Sequence, residues 1–144
     1  MKNAAIFSTA MVTGFMMISS AVNAAGDAAA ERQALMKHVG QTTGILARMT
    51  KGQMEFDAVT AQTALNVLNA SALGFGYMFP EGSETGADTE AAPSIWSDRA
   101  GFDAAVAKYA KDTSAKITDM DSLKAAFGAA ASNCSACHKS YRTK

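Results

Sequence analysis

SLKAAFGAAASNCSACHKSYRTK, residues 122–144, closes the chain and carries both a helical stripe and a cluster of reactive side chains. Leu123, Phe127, Ala130, Cys134, His138 and Tyr141 recur at steps of three and four, which is one face of an α-helix starting near Asp119 to Ser122. Working back from it, a third segment opens near Ser94 and places Ile95, Arg99, Phe102, Val106, Tyr109 and Thr113 on one face. Gly101 inside it costs about 1 kcal/mol against Ala and does not break the pattern. Pro80 to Pro93 holds Gly, Ser, Thr and acids without apolar periodicity, and reads as a loop. The second segment opens after Asp57, a good N-cap, and lines up Ala61, Leu65, Leu68, Ala72, Phe75 and Phe79. The first runs from about Ala28 to Thr50 on Leu35, Val39, Thr42, Leu46 and Met49, and Lys51-Gly52 closes it. Four helices with short connections predict an all-α chain folded as an antiparallel, up-down-up-down four-helix bundle.

Composition agrees. The 144 residues are 49% hydrophobic but only 8% aromatic, with 11 Gly and 2 Pro, so long stretches are free of breakers and an all-β fold is disfavoured. The formal charge is zero, which argues against nucleic acid as a partner. At the N-terminus, Lys2 precedes an apolar run from Ala4 to Ile18, and Val22-Asn23-Ala24 places small residues where a signal peptidase reads. That run is short of the roughly 20 residues needed to span a bilayer. Residues 1–24 are expected to be a cleaved signal peptide, and residues 25–144 the mature domain, exported to the periplasm of a Gram-negative bacterium and free of the membrane.

The two cysteines lie in Cys134-Ser135-Ala136-Cys137-His138. This is the attachment signature of haem c. Two thiols add to the haem vinyl groups as thioethers, and the adjacent His138 donates a ring nitrogen to the iron. A disulfide would leave the histidine coincidental. Zinc would need four ligands, and the only other histidine is His38. A thioredoxin-like pair would open a helix after a strand, whereas this pair sits near the chain's end.

Because six residues follow His138, a second axial ligand must come from upstream. In an up-down-up-down bundle, the end of helix four meets Arg32, Met36, Phe75, Met78, Phe79, Ile95 and Trp96. Met49, Met54 and Met120 fall at the other end, about 20 Å away. Met36 therefore leads as the sulfur facing iron, with Met78 second; the competing role for Met36 is core packing. Arg32, one turn before Met36, either pairs with a haem propionate or is solvated. His38 lies about 200° round the helix from Met36, so both cannot face one haem, and it reads as a surface residue.

A signal peptide, four helices and a C-terminal Cys-x-x-Cys-His resemble the class II cytochromes c, the cytochrome c′ family. Arg32-Gln33, Lys51-Gly52-Gln53, Ile95-Trp96 and Tyr141-Arg142 also stand where that family has similar residues. The resemblance implies one covalently bound haem c held by Cys134, Cys137 and His138, with Arg32, Gln33 and Met36 as further haem-site residues. It also implies two branches. In one, a bulky side chain at the Met36 position crowds a five-coordinate iron; in the other, Met36 is the sixth ligand. Ala34-Leu35-Met36-Lys37 is similar to the second branch and Arg32-Gln33 to the first, so both stay open.

The functional expectation is a periplasmic monohaem electron carrier with periplasmic redox proteins as partners. The alternative is a protein binding nitric oxide or carbon monoxide at the distal haem face. Enzymatic chemistry is not expected, since Met36, Phe75 and Phe79 supply no acid–base group. Between Lys51 and Arg99 there are seven acids and no base, and from Lys108 to Lys144 seven bases against three acids. Lys139, Arg142 and Lys144 would then ring the haem edge and steer an acidic partner, or form an ordinary solvated face. The resemblance further implies a homodimer, which an apolar strip on helices one and two could seat.

Overall fold

The computed structural model describes residues 20–144, with side chains described from Ala28 onward. The expected signal segment, residues 1–24, and its cleavage point lie outside the residues described in full. Five helices follow: α1 Ser20–Thr50, α2 Ala58–Phe75, the single turn α3 Ser94–Ser97, α4 Arg99–Asp112 and α5 Met120–Tyr141. Gly52 ends the α1 turn at a φ of 68°, a left-handed conformation that costs glycine no steric clash. Asp57 caps α2 by accepting from the Thr60 N–H (2.7 Å), and Asp119 and Ser122 form a reciprocal capping box on α5.

Three elements differ from the sequence expectation, the first being α1, which starts at Ser20 rather than near Ala28. α2 gives way after Phe75 to a 3₁₀ turn, Gly76–Met78, so Phe79 lies beyond it. The third predicted helix is broken at Asp98, whose backbone (φ −121°, ψ 54°) leaves the helical region. Asp98 instead caps α4, accepting from the Gly101 N–H (3.2 Å), and also accepts a hydrogen bond from the Tyr141 hydroxyl (3.0 Å). Gly101 is thus no passive cost. It makes room for this cap.

α1 packs on α2, α2 on α4, α4 on α5, and α5 returns to α1. Neighbours run antiparallel: Gln62 at the start of α2 bonds Ala115 and Ile117 beyond the end of α4, while Tyr141 at the end of α5 reaches Asp98 at the start of α4. The core has two parts. An aliphatic one joins Val39, Leu46 and Met49 with Leu65, Leu68, Ile117 and Leu123. Each fully buried leucine contributes about 2 kcal/mol. At the other end, Phe75, Phe79, Phe102 and Tyr141 meet edge to face, with ring centroids 4.8–5.3 Å apart along Phe75–Phe79–Phe102–Tyr141. Met49 is core, Met120 packs on it and Met54 is exposed, as expected for methionines distant from the motif.

The 80–93 loop is anchored rather than trailing. Arg32 is buried and donates to the Met78 carbonyl (2.9 Å), the Ser83 hydroxyl (2.9 Å) and the Ser83 carbonyl (2.8 Å). Its guanidinium lies 4.8 Å from the Phe79 ring centroid and 5.9 Å from that of Trp96. Gln33 donates to the Ala87 carbonyl (2.6 Å), holding a turn where Ala87 and Asp88 have φ of 45° and 50°. The C-terminal tail straps the loop from the other side through Ala92 N–H to Tyr141 carbonyl (3.0 Å), Thr143 N–H to Glu90 carbonyl (2.9 Å) and a Glu90–Arg142 ion pair.

Two measurements check these contacts. Helix propensity alone favours Gly101→Ala, but the new Cβ would lie 2.3 Å from Asp98 Oδ2 and 2.7 Å from Tyr141 Oη. Losing the cap and the tyrosine bond outweighs propensity, so denaturant unfolding should show a net loss of about 1 kcal/mol. A gain in stability would show that Asp98 does not cap α4. Arg32→Lys removes a planar fork that one ammonium cannot replace, and should cost about 2 kcal/mol. Amide exchange over residues 81–88 should quicken with it; unchanged exchange there would mean the loop is held by other contacts.

Candidate functional site

Cys134, Cys137 and His138 occupy the last two turns of α5, and their i, i+3 and i+4 spacing puts them on one face. The α5 helix ends at once beyond them: the Arg142 N–H bonds the His138 carbonyl (3.2 Å) and Arg142 is extended. That face opens on a cavity of about 720 Å³, in the range of ligand-binding clefts. α1 supplies Arg32, Gln33, Met36 and Val39 to its wall, α2 supplies Ala72 and Phe75, and α4 supplies Phe102, Val106 and Tyr109. Phe79, Ile95 and the loop residues Asp88 to Ala91 complete it.

The donor set suits haem c. Both thiols are free and partly buried on one wall, with His138 exposed beside them. Burial pushes the Cys134 and Cys137 thiols up, and for Cys137 the neighbouring Cys134 adds to it. This opposes the lowered thiol pKa that a redox-active pair needs. Desolvation and then the Arg142 guanidinium pull the His138 imidazole below its ordinary value, with Glu90 opposing. A neutral imidazole is the ligating form. The wall is otherwise mostly hydrocarbon and aromatic, matching a porphyrin face.

Each residue expected at the site has a definite place. Met36 is partly buried, lines the cavity and packs on the aliphatic core. Arg32 also lines it, but the solvated reading is overturned: the side chain is buried, and its terminal nitrogens bind Met78 and Ser83. Gln33 is at the rim, exposed and tied to the loop. Phe75, Phe79 and Ile95 line the cavity as expected, whereas Met78 and Trp96 are not among its lining residues. Met78 backs the aromatic cluster, and Trp96 lines a shallow outer groove with Glu81, Glu84 and Arg99. His38 is exposed and off the cavity. Two contributors carry no site role in the sequence reading: Tyr109, on the inward stripe of the third segment, and Glu90, in a segment without periodicity. Arg142, expected at the haem edge, lines the cavity.

A family model described as Cytochrome C′ matches residues 27–142. The chain is 37% identical over 139 residues to the cytochrome c′ of Rhodopseudomonas palustris, covering 94% of this chain and 95% of that one. It is 36% identical over 132 residues to the cytochrome c-556 of Agrobacterium fabrum, covering 89% and 88%. The solved structure of cytochrome c′ from Rhodopseudomonas palustris superposes with a TM-score of 0.78 at 39% identity, over 82% of this chain and 97% of that one. With the bundle, the motif and the cavity in agreement, this chain belongs to the cytochrome c′ family, whose members carry one covalently attached haem c.

Proposed function

We propose that the chain is a periplasmic electron carrier in which His138 and Met36 would both ligate the iron of a single haem c. Haem supplies a one-electron couple between ferric and ferrous iron, and the protein's part is to attach, orient and shield it. Cys134 and Cys137 hold it as thioethers, and His138 is positioned by its place one residue past the second thiol. The observation that carries the reading is that Met36 shares the cavity with both thiols and His138, and is the only methionine lining it among the described residues. Phe75, Phe79 and Val106 keep water from the wall, which limits reorganisation when charge changes. Arg32 and Gln33 face the same cavity and are proposed to meet its propionate edge. Residues 1–24 would be the cleaved signal and 25–144 the working domain.

A second reading is supported by the packing of Met36 against the aliphatic core, which suits a steric plug as well as a ligand. In that case the iron is five-coordinate, and the protein binds nitric oxide or carbon monoxide at its inner face. In either reading the exposed side chains Val59, Val67 and Leu73 on α2, with Tyr77 on the 3₁₀ turn after it, offer an apolar strip for a second copy of the chain. Lys139 and Lys144 are exposed near the motif, while Arg142 is held by Glu90, so steering of an acidic partner falls to the lysines.

If Met36 ligates, oxidised protein should be low-spin, show a sulfur-to-iron charge-transfer band and take up carbon monoxide slowly when reduced. Met36→Ala should turn it high-spin and speed that uptake. A wild-type protein already high-spin overturns ligation and favours the gas-binding reading. For docking, electron-transfer rates with an acidic protein should fall as ionic strength rises past 0.1 M, where the Debye length is about 10 Å. Lys139→Glu should lower the low-salt rate; rates indifferent to salt would leave these lysines as a solvated face.

A further inference from the structure

Phe79, Glu81, Glu84, Trp96 and Arg99 line a shallow groove on the outer surface. Phe79 also lines the cavity that holds the two thiols and His138, and among the described residues it alone belongs to both walls. It is buried, and it meets the half-buried Trp96 edge to face with ring centroids 5.8 Å apart. One aromatic ring thus stands between groove and cavity.

The charge of the groove follows from which groups are engaged and which are free. Arg99 pairs with Asp103 (2.9 Å) and donates to the Phe79 (3.3 Å) and Gly76 (2.7 Å) carbonyls. Arg32, beside the same two rings, is buried and turns its donors to Met78 and Ser83. Glu81 and Glu84 are exposed, and neither joins an ion pair among the described residues. In sequence they flank the buried Ser83, whose hydroxyl donates to the Pro80 carbonyl (2.8 Å). The same carbonyl accepts from the Trp96 indole N–H (3.2 Å). The backbone that carries the two carboxylates is therefore ordered before anything binds, which lowers the entropic cost of docking.

We propose that this groove is the docking site of a lysine-rich electron-transfer protein. A lysine suits both of its parts: the methylene stem covers the aromatic floor, and the ammonium meets the carboxylates. The inference rests on the electron-carrier reading, in which the chain takes an electron from one protein and passes it to another. The lysines near the motif suit an acidic partner and the groove a basic one, so the two exchanges use separate faces.

The test uses the haem-loaded protein and, as probe, a lysine-rich monohaem cytochrome. Charge reversal by Glu81→Lys with Glu84→Lys should lower the low-salt electron-transfer rate about tenfold. Variant and wild type should converge at about 1 M salt, where the Debye length is about 3 Å. Lys139→Glu should not slow this probe. Trp96, the chain's one tryptophan, reports directly: its indole N–H resonance should shift on adding the probe to wild type and stay put in the variant. If the double substitution changes neither rate nor resonance, in a protein that still passes electrons to ferricyanide, the groove alone is overturned. A gap that persists in full at about 1 M salt overturns it too, since screened charges cannot cause it. A holoprotein that exchanges electrons with neither the probe nor ferricyanide removes this inference together with the reading beneath it.

Discussion

Three side chains with chemistry, the half-buried Cys134 and Cys137 and the exposed His138, occupy the cavity face of the last two turns of α5, where a bundle helix would otherwise bury aliphatic residues. That constraint shapes the rest. Leu123 and Ala126 still close the core at the start of α5, but beyond Ala130 the face carries the buried Asn133 with Cys134, Cys137, His138 and Tyr141. The helices cannot knit together there with interdigitating leucines. An edge-to-face chain of aromatic rings takes over one side, and a polar loop strapped to the C-terminal tail takes over another. The core is divided because the site demands a surface that the protein itself does not fill.

Arg32 shows how such a wall can be polar and still hold. A buried guanidinium is expensive unless its donors are met. Here desolvation weakens its hold on the proton, and Glu84 offsets this only at a distance. The compensation comes from two carbonyls, one hydroxyl and two aromatic faces. Because those groups belong to the 3₁₀ turn, the loop and α3, a single side chain on α1 ties three connecting segments to the bundle.

The periodic parts of the fold were legible in the sequence. Val39, Leu46, Leu65, Leu68, Phe102 and Leu123 were all expected on inward stripes and all are buried. The break at Asp98 was not, since Ile95 and Phe102 keep helical spacing across it, and only the competition of the Asp98 side chain for the Gly101 N–H reveals it. The Cys134–His138 cluster was legible because its spacing is chemical rather than structural. Met36 was placed at the cavity by counting turns. The loop's contribution was hidden, because its contacts with Arg32, Gln33 and Arg142 join residues far apart in sequence and leave no local pattern.

The strap between tail and loop also bears on how the chain acquires its shape. Residues 90–92 pair with residues 141–143, so the last few amino acids seat the second half of the loop. Closing so long a segment carries an entropic penalty that local helix formation does not. α4 and α5 can form and meet first, as neighbours in sequence, while the tail docks late. Until then the final turn of α5 lacks its stop, and the two thiols face an unfinished wall. Without the docked tail, that side of the wall rests on the loop's contacts with Arg32 and Gln33.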